Sequence, residues 1–480
     1  MAGKELKVVR VLKALEDKEL ERLVLFLDAE YFVVDKSFLK YFRVLCEQLK
    51  SGDGGVDQEA LFNLVFEGEN FSYNKFAKLN SQLLQLVYRF LSVEYLGQDP
   101  VRHWGMVIEL LQDRLELEVL DLTLPSFERA LDKAPDSLEK LRQKLHLREV
   151  LFATEGGAWR ESRTVKPQWV IEALDEYYEL ARLRLECAIL NRRLISGEQD
   201  FQSDYQAPVK RAAENEIIRL YDLARANLLE PAHEGNWLRL KEALELQIKS
   251  MEVDQFSPEF REVCTYTLNG CIRLNNFQRK GIAREHLYAT YKLLLDHGIL
   301  LRNDLLSPWH FKNIIKNLVL TERFDEAFSR IEEYGSKLNG DYQENALVYS
   351  RALYNFSIGS LEESLRDTHL LLQDYKDVFY GLDGRTLLLR CYFEMADTEQ
   401  LEMQGEAFRQ FLRRLGDRKV LTDAYLEMYA EFVKNITGLG KINFGAPDKQ
   451  SGRLKRFQTK LENNDRALFR DWLLAKITFA

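Results

Sequence analysis

"LTERFDEAFSRIEEYGSKL", Leu320–Leu338, and "SIGSLEESLRDTHLLLQDY", Ser357–Tyr375, share one pattern of turn and apolar residues thirty-seven positions apart. Each begins with a polar turn. Phe324 is followed three residues on by Ala327, and Leu361 by Ser364, after which apolar residues recur at helical spacing. The alignment sets Glu322 opposite Gly359. A degenerate third copy, "LLLRCYFEMADTEQLEMQGEAFRQF" (387–411), keeps the step, with its turn at Ala396–Asp397. Upstream, 259–277 with 283–297 reads as a fourth helix pair with a longer turn.

A helix pair with a small residue near the start of its second helix, repeated at this period, is the tetratricopeptide pattern in eroded form. Such pairs cannot bury their faces alone, and stacking them builds a curved array whose concave wall comes from the first helix of each pair. The expected fold is therefore all-α. An α-α solenoid or superhelix, tetratricopeptide-like in its second half, follows a helical N-terminal region and ends in capping helices. Composition agrees: 25 Gly and 9 Pro in 480 residues leave little of the punctuation that sandwiches and barrels need. Helices that bury one face and solvate the other account for 46% hydrophobic and 30% charged residues.

Four regions are expected: a helical bundle over 1–98, a helical linker region over 99–204, the repeats over 205–437 and basic capping helices over 438–480. Two helices with a turn near Tyr31–Asp35 begin the bundle, and "FSYNKFAKLNSQLLQLVYRFLSVEYL" continues it as one long helix. Another long helix is expected from about Gln168 to Ser196. Pro100, Pro125, Pro135, Pro167, Pro258 and Pro308 each open an amphipathic stretch, where the missing N–H costs nothing. Ser257 and Ser307, just before two of them, are the expected N-caps. "SGDGG" (51–55), "TEGGAW" (154–159) and "GLGKINFGAP" (438–447) read as loops.

The chain resembles a group of helical, tetratricopeptide-like proteins of Bacteroidota. The likeness lies in "LEDKELERLVLFLDAEYF", "KLNSQLLQLVYRFL", "SPWHFKNIIKNLVLTERFDEAFSRIEEY" and "FRDWLLAKI". It implies a helical fold and a cytoplasmic setting, and brings no activity or substrate class.

The residues themselves offer little chemistry. Seven dispersed histidines have no metal-ligand spacing, and His310, beside Trp309 at a helix start, reads as a core or capping residue. Cys46, Cys187, Cys264, Cys271 and Cys391 are too scattered for a disulfide framework; each sits in an apolar helical pattern that would raise its pKa. Cys264 and Cys271, two turns apart, should share a buried face. Glu332–Glu333 and Glu362–Glu363 diverge by roughly 100° around a helix and cannot act as an acid–base couple. No phosphate loop, signal-peptide core or membrane span is legible. The expectation is a cytoplasmic protein that is not an enzyme, with no catalytic residues, cofactor, metal site or membrane attachment.

Two stretches remain as binding candidates. In "HFKNIIKNL" (310–318), Lys312 and Lys316 share a face with Asn313 and Asn317 beside them. Lysine and asparagine at these positions resemble those of tetratricopeptide modules that clamp a peptide's terminal carboxylate. Arg351 with Asn355, and Asn269 with Arg273, would extend that surface along neighbouring helices. In "SGRLKRFQTKLENN" (451–464), Arg453, Lys455, Arg456 and Lys460 flank Leu454, Phe457 and Leu461. The net charge is −9, yet 441–480 carries nine Lys/Arg against four Asp/Glu. The leading expectation is a scaffold or adaptor that binds a protein or peptide on the concave wall. The alternative is a nucleic-acid-associated regulatory or accessory factor acting through the basic helix, whose blander role is to cap the array with Leu454, Phe457, Leu461, Trp472 and Leu473.

Overall fold

The computed structural model describes residues 6–50, 57–66, 68–114, 117–154, 167–196, 209–211, 214–251, 256–278, 281–340, 342–445, 450–464 and 467–477. Among these the chain forms twenty-two helices and one two-stranded ribbon, and no helix is long and apolar enough to cross a membrane. Two compact units are present, one built on Met1–Lys133 and the other on Ala134–Phe152 with Glu161–Ala480.

The first unit holds α1 (Lys7–Leu12), α2 (Asp17–Asp28), α3 (Ser37–Lys50), α4 (Gln58–Val65), α5 (Tyr73–Gln98), α6 (Pro100–Asp113) and α7 (Leu117–Lys133). Its core gathers Leu23 and Leu27 of α2, Tyr41 and Phe42 of α3, Phe62 of α4 and Phe76, Leu83 and Phe90 of α5. The buried Tyr41 hydroxyl donates to Asn80 Oδ1 at 2.8 Å, so neither polar group is left unsatisfied. Pro125 lies inside α7 and does not open it. Leu120, Leu124, Phe127 and Leu131 are buried at helical spacing on both sides of the proline, and their burial carries the helix through it.

The second unit holds α8 (Leu138–Thr154), α9 (Pro167–Ser196), α10 (Glu216–Leu229), α11 (Glu234–Ser250), α12 (Pro258–Gln278) and α13 (Gly281–Asp296). After the ribbon β1 (Leu301–Arg302) and β2 (Leu305–Leu306) come α14 (Pro308–Leu320), α15 (Phe324–Tyr334), α16 (Gln343–Ser357) and α17 (Leu361–Gln373). The unit closes with α18 (Val378–Glu394), α19 (Thr398–Asp417), α20 (Asp423–Asn443), α21 (Gln450–Glu462) and α22 (Arg470–Ala475). The segment 99–204 is not a unit of its own. Its first helices group with the N-terminal ones, while α9 packs on α10 through Leu180, Leu183 and Cys187.

One kind of turn recurs in the backbone at a step of thirty-seven residues. Glu322, Gly359 and Ala396 have left-handed φ of 58°, 85° and 56°. At each, two bonds close the preceding helix in the same register. The N–H groups of Arg323, Ser360 and Asp397 reach the carbonyls of Leu318, Asn355 and Tyr392; those of Glu322, Gly359 and Ala396 reach Val319, Phe356 and Phe393. This double closure is the usual way a left-handed residue ends a helix. Beyond the turns, α14, α16, α18 and α20 each pack on the next of that set, with α15, α17 and α19 between them in sequence.

Ala327 and Ser364 are wholly buried at the equivalent seam position, and Ser364 Oγ donates to the Ala352 carbonyl at 2.8 Å. The third copy has Leu401 there instead. Room comes from Gly440 of α20, where a Cβ would stand 2.6 Å from Leu401 Cδ2. Gly438–Asn443 is thus helix and not loop: Ile436 and Leu439 are buried, and Gly440 serves close packing. The expected loops at 51–55 and 155–159, and residues 446–447, lie outside the described residues.

Smaller differences have local causes. Ser257 Oγ accepts from the Phe260 N–H as an N-cap does, whereas the Ser307 side chain makes no capping bond. The pair α12–α13 has no long turn, since α12 ends at Gln278 and α13 starts at Gly281. The ribbon was not anticipated. Asn303 and Asp304, at φ 51° and 60°, make its two-residue turn, and Leu306 pairs onward with the segment that follows α15, its N–H donating to the Lys337 carbonyl.

Candidate functional site

The Lys–Asn stripe of α14 does not present one open face. Phe311, Ile314, Ile315 and Leu318 bury the apolar side as the spacing requires. Lys312 is buried as well, only 6% exposed. Its ammonium donates to Asp383 Oδ2 of α18 at 2.9 Å. It also lies 5.1, 5.8 and 4.9 Å from the ring centroids of Trp309, Tyr349 and Tyr380. Burial by itself would raise the Asp383 pKa; the charges of Lys312 and Lys316 and the hydrogen bond from Lys312 outweigh it and hold the carboxyl below its ordinary value. Lys312 is therefore committed to an internal ion pair in an aromatic box.

The other stripe residues disperse. Asn313 is half-buried beside the Tyr291 hydroxyl. Asn317 is buried and donates to the Arg284 carbonyl at 3.1 Å. Arg351 is exposed and 3.9 Å from Asp367 of α17, while Asn355 is half-buried near the α16–α17 turn. Asn269 is half-buried, and Arg273 is buried with Nη2 2.5 Å from Asn191 Oδ1 of α9. These side chains face different neighbours because each helix of a packed array has several buried flanks. Asn317 borders only a small pocket of about 10 Å³, whereas Lys316, 3.8 Å from Asp383 Oδ1, lines a large cavity.

That cavity, about 580 Å³, opens where α14, α16 and α18 end in their left-handed turns. Val319, Leu320, Phe356 and Leu361 give it an apolar wall, and the chain's own residues 468–472 face them. Phe469, at φ 54°, turns the chain into α22. Trp472 packs edge-on against Phe393 at 5.4 Å and donates from Nε1 to Glu394 at 3.1 Å; Lys476 pairs with the same carboxylate at 2.7 Å. Arg284 of α13, 3.6 Å from Asp471, completes one edge. The cations around the cavity outnumber the acids, with Arg284, Lys316, Arg390, Arg470 and Lys476 against Glu322, Glu394 and Asp471.

Asp383, Arg390 and Phe469 are absent from the sequence-based expectation. Arg390 was within reach of it: counted from the turns at Glu322 and Ala396, Lys316 and Arg390 occupy the same helix position. Asp383 has no such signal, because its role follows from packing between α14 and α18.

On α21, Leu454 and Leu461 are buried in one core with Leu473, and Phe457 and Trp472 pack against it. Arg453, Lys455 and Arg456 are exposed, and Lys460 reaches Asn435 Oδ1 at 3.1 Å and Glu431 at 3.8 Å. Burial raises the thiol pKa of Cys187, Cys264, Cys271 and Cys391, that of Cys271 to about 12. His310, half-buried against Tyr291, is lowered to about 4 by burial. Among the described residues no group of three or more His, Cys, Asp or Glu side chains is placed to hold a metal ion. Comparison with family models, with curated proteins and with solved structures gives no match.

Proposed function

We propose that the second unit is a tetratricopeptide-like α-α solenoid acting as a non-catalytic binding scaffold in the cytoplasm. Its partner is a protein or peptide segment held in the groove where α14, α16 and α18 end. One observation carries this reading: the groove already holds a peptide-like occupant, the chain's own segment around Phe469 and Trp472, and a cavity remains beside it. A surface that buries aromatic side chains of a short segment, with polar groups at its rim, has the composition of a recognition site. Peptide display against the full chain tests it. Enriched peptides should slow amide exchange over 316–324 and 356–361, and Leu320→Glu should abolish their binding. Enrichment of nothing, or protection elsewhere, overturns the reading.

Exposed Arg453, Lys455 and Arg456 on α21 favour a second reading, contact with a nucleic-acid backbone. It requires heparin retention that falls steeply with salt and is lost when the three become Ala.

A further inference from the structure

Arg390 lies among three rings, its guanidinium carbon 4.3 Å from the centroid of Phe356, 4.6 Å from Phe469 and 5.1 Å from Trp472. Among the described residues it makes no hydrogen bond and no ion pair within 4.0 Å, and its Nε is buried with no acceptor. The acid one turn further on, Glu394, is already engaged by Trp472 and Lys476. Burial lowers the Arg390 pKa to about 10, which still leaves the group charged at neutral pH.

A guanidinium has five N–H donors in a plane, and rings against its faces leave its edge as the place for an acceptor. That residue lines the cavity, together with Lys316 and Arg284. A cation with no hydrogen-bonded or ion-paired acceptor in such a place is costly to the fold unless something supplies one. A planar or tetrahedral oxyanion meets a guanidinium edge with two parallel hydrogen bonds.

We infer that the cavity is a binding site for a small organic oxyanion, a carboxylate or phosphate group on an apolar body, with Arg390 as its anchor. The anion sits at the guanidinium edge with Lys316 and Arg284 flanking it, and the apolar body lies along Phe356, Leu361 and Trp472. The inference rests on the same groove being a recognition surface, but the ligand it names is a free small molecule.

The test uses the full chain at constant ionic strength, with ¹⁹F NMR of 4-fluorobenzoate, 4-fluorophenyl phosphate and the neutral 4-fluorobenzamide as probes. One of the two anions should bind, at least tenfold more tightly than the amide, and its identity distinguishes carboxylate from phosphate. Arg390→Met keeps a long side chain among the rings and should weaken binding about tenfold or more. Lys316→Met should weaken it several-fold, and serves should the Arg390 variant fail to fold. Lys249→Ala, at an exposed position of α11, should leave it unchanged. Equal binding of anion and amide, or full binding in both Arg390→Met and Lys316→Met, overturns the inference. Anion binding without any displayed peptide sinks the scaffold reading alone; peptide binding without the anions sinks this one alone.

Discussion

Lys312 and Arg390 are both cations on helices of the second unit, and both sit among three aromatic rings. Lys312 has Asp383 at 2.9 Å, and its surroundings are closed. Arg390 has rings and, among the described residues, no hydrogen-bonded or ion-paired carboxylate, and it lines a cavity. A buried charge must be compensated, so the first arrangement is complete within the fold and the second is open to an outside anion. The contrast separates a structural cation from a recognition cation on grounds that residue type alone does not provide.

The largest effect should come from Asp383→Ala, which strands Lys312 without a counter-charge. A loss of about 3–5 kcal/mol in urea-unfolding stability is expected. Lys312→Met with Asp383→Leu should restore most of it, because an apolar pair fits a box of rings without desolvating any charge. A loss near zero for Asp383→Ala would erase the distinction between the two cations.

Packing limits come next. Gly440→Val places a side chain where Leu401 already lies 2.6 Å from a Cβ, and overpacking of this kind costs about 1–3 kcal/mol. Chemical denaturation of the variant measures it, and an unchanged midpoint would mean that α19 and α20 can separate freely.

Acid stability sharpens the Lys312 side. The His310 pKa is lowered from 6.5 to about 4, so the unfolded chain takes up its proton first. Stability is full above about pH 6.5 and falls as pH drops from there towards 4. Asp383, with its pKa held below 3.8, contributes stability above that value and loses it as pH falls further. His310→Gln should remove the upper part of the acid loss and leave the lower part, read from stability measured across pH.

Arg390→Met should change stability by about 1 kcal/mol or less, since removing an unpaired cation from among rings relieves desolvation while conserving volume. A loss comparable to that of Asp383→Ala would show that Arg390 is structural after all. Glu322→Gly relieves left-handed strain and should stabilise by a similarly small amount, about 1 kcal/mol, read as a raised midpoint in urea unfolding.

Much of the helical architecture was legible because its causes are local. The start of α9 at Pro167, the span of α5 and the break between α2 and α3 follow from spacing and proline chemistry. The register of Glu322, Gly359 and Ala396 was legible too, as the 37-residue step holds although only the middle turn carries glycine. Gly440 misled for a physical reason. A glycine that permits close helix contact looks, in sequence, like one that ends a helix. Lys312 misled for another: a polar stripe on an isolated helix has no way of announcing that a carboxylate seventy-one residues later will fold over it.

The sequence by itself determined most of the helices, their turns and the thirty-seven-residue step between three of those turns, since propensity, capping and periodicity act over a few residues. Only the tertiary structure decided which charges are internal. It set Asp383 against Lys312, laid Phe469 and Trp472 against Arg390 and left a cavity beside them. Those contacts join residues far apart in the chain, and the cost of an uncompensated charge depends on every group that surrounds it.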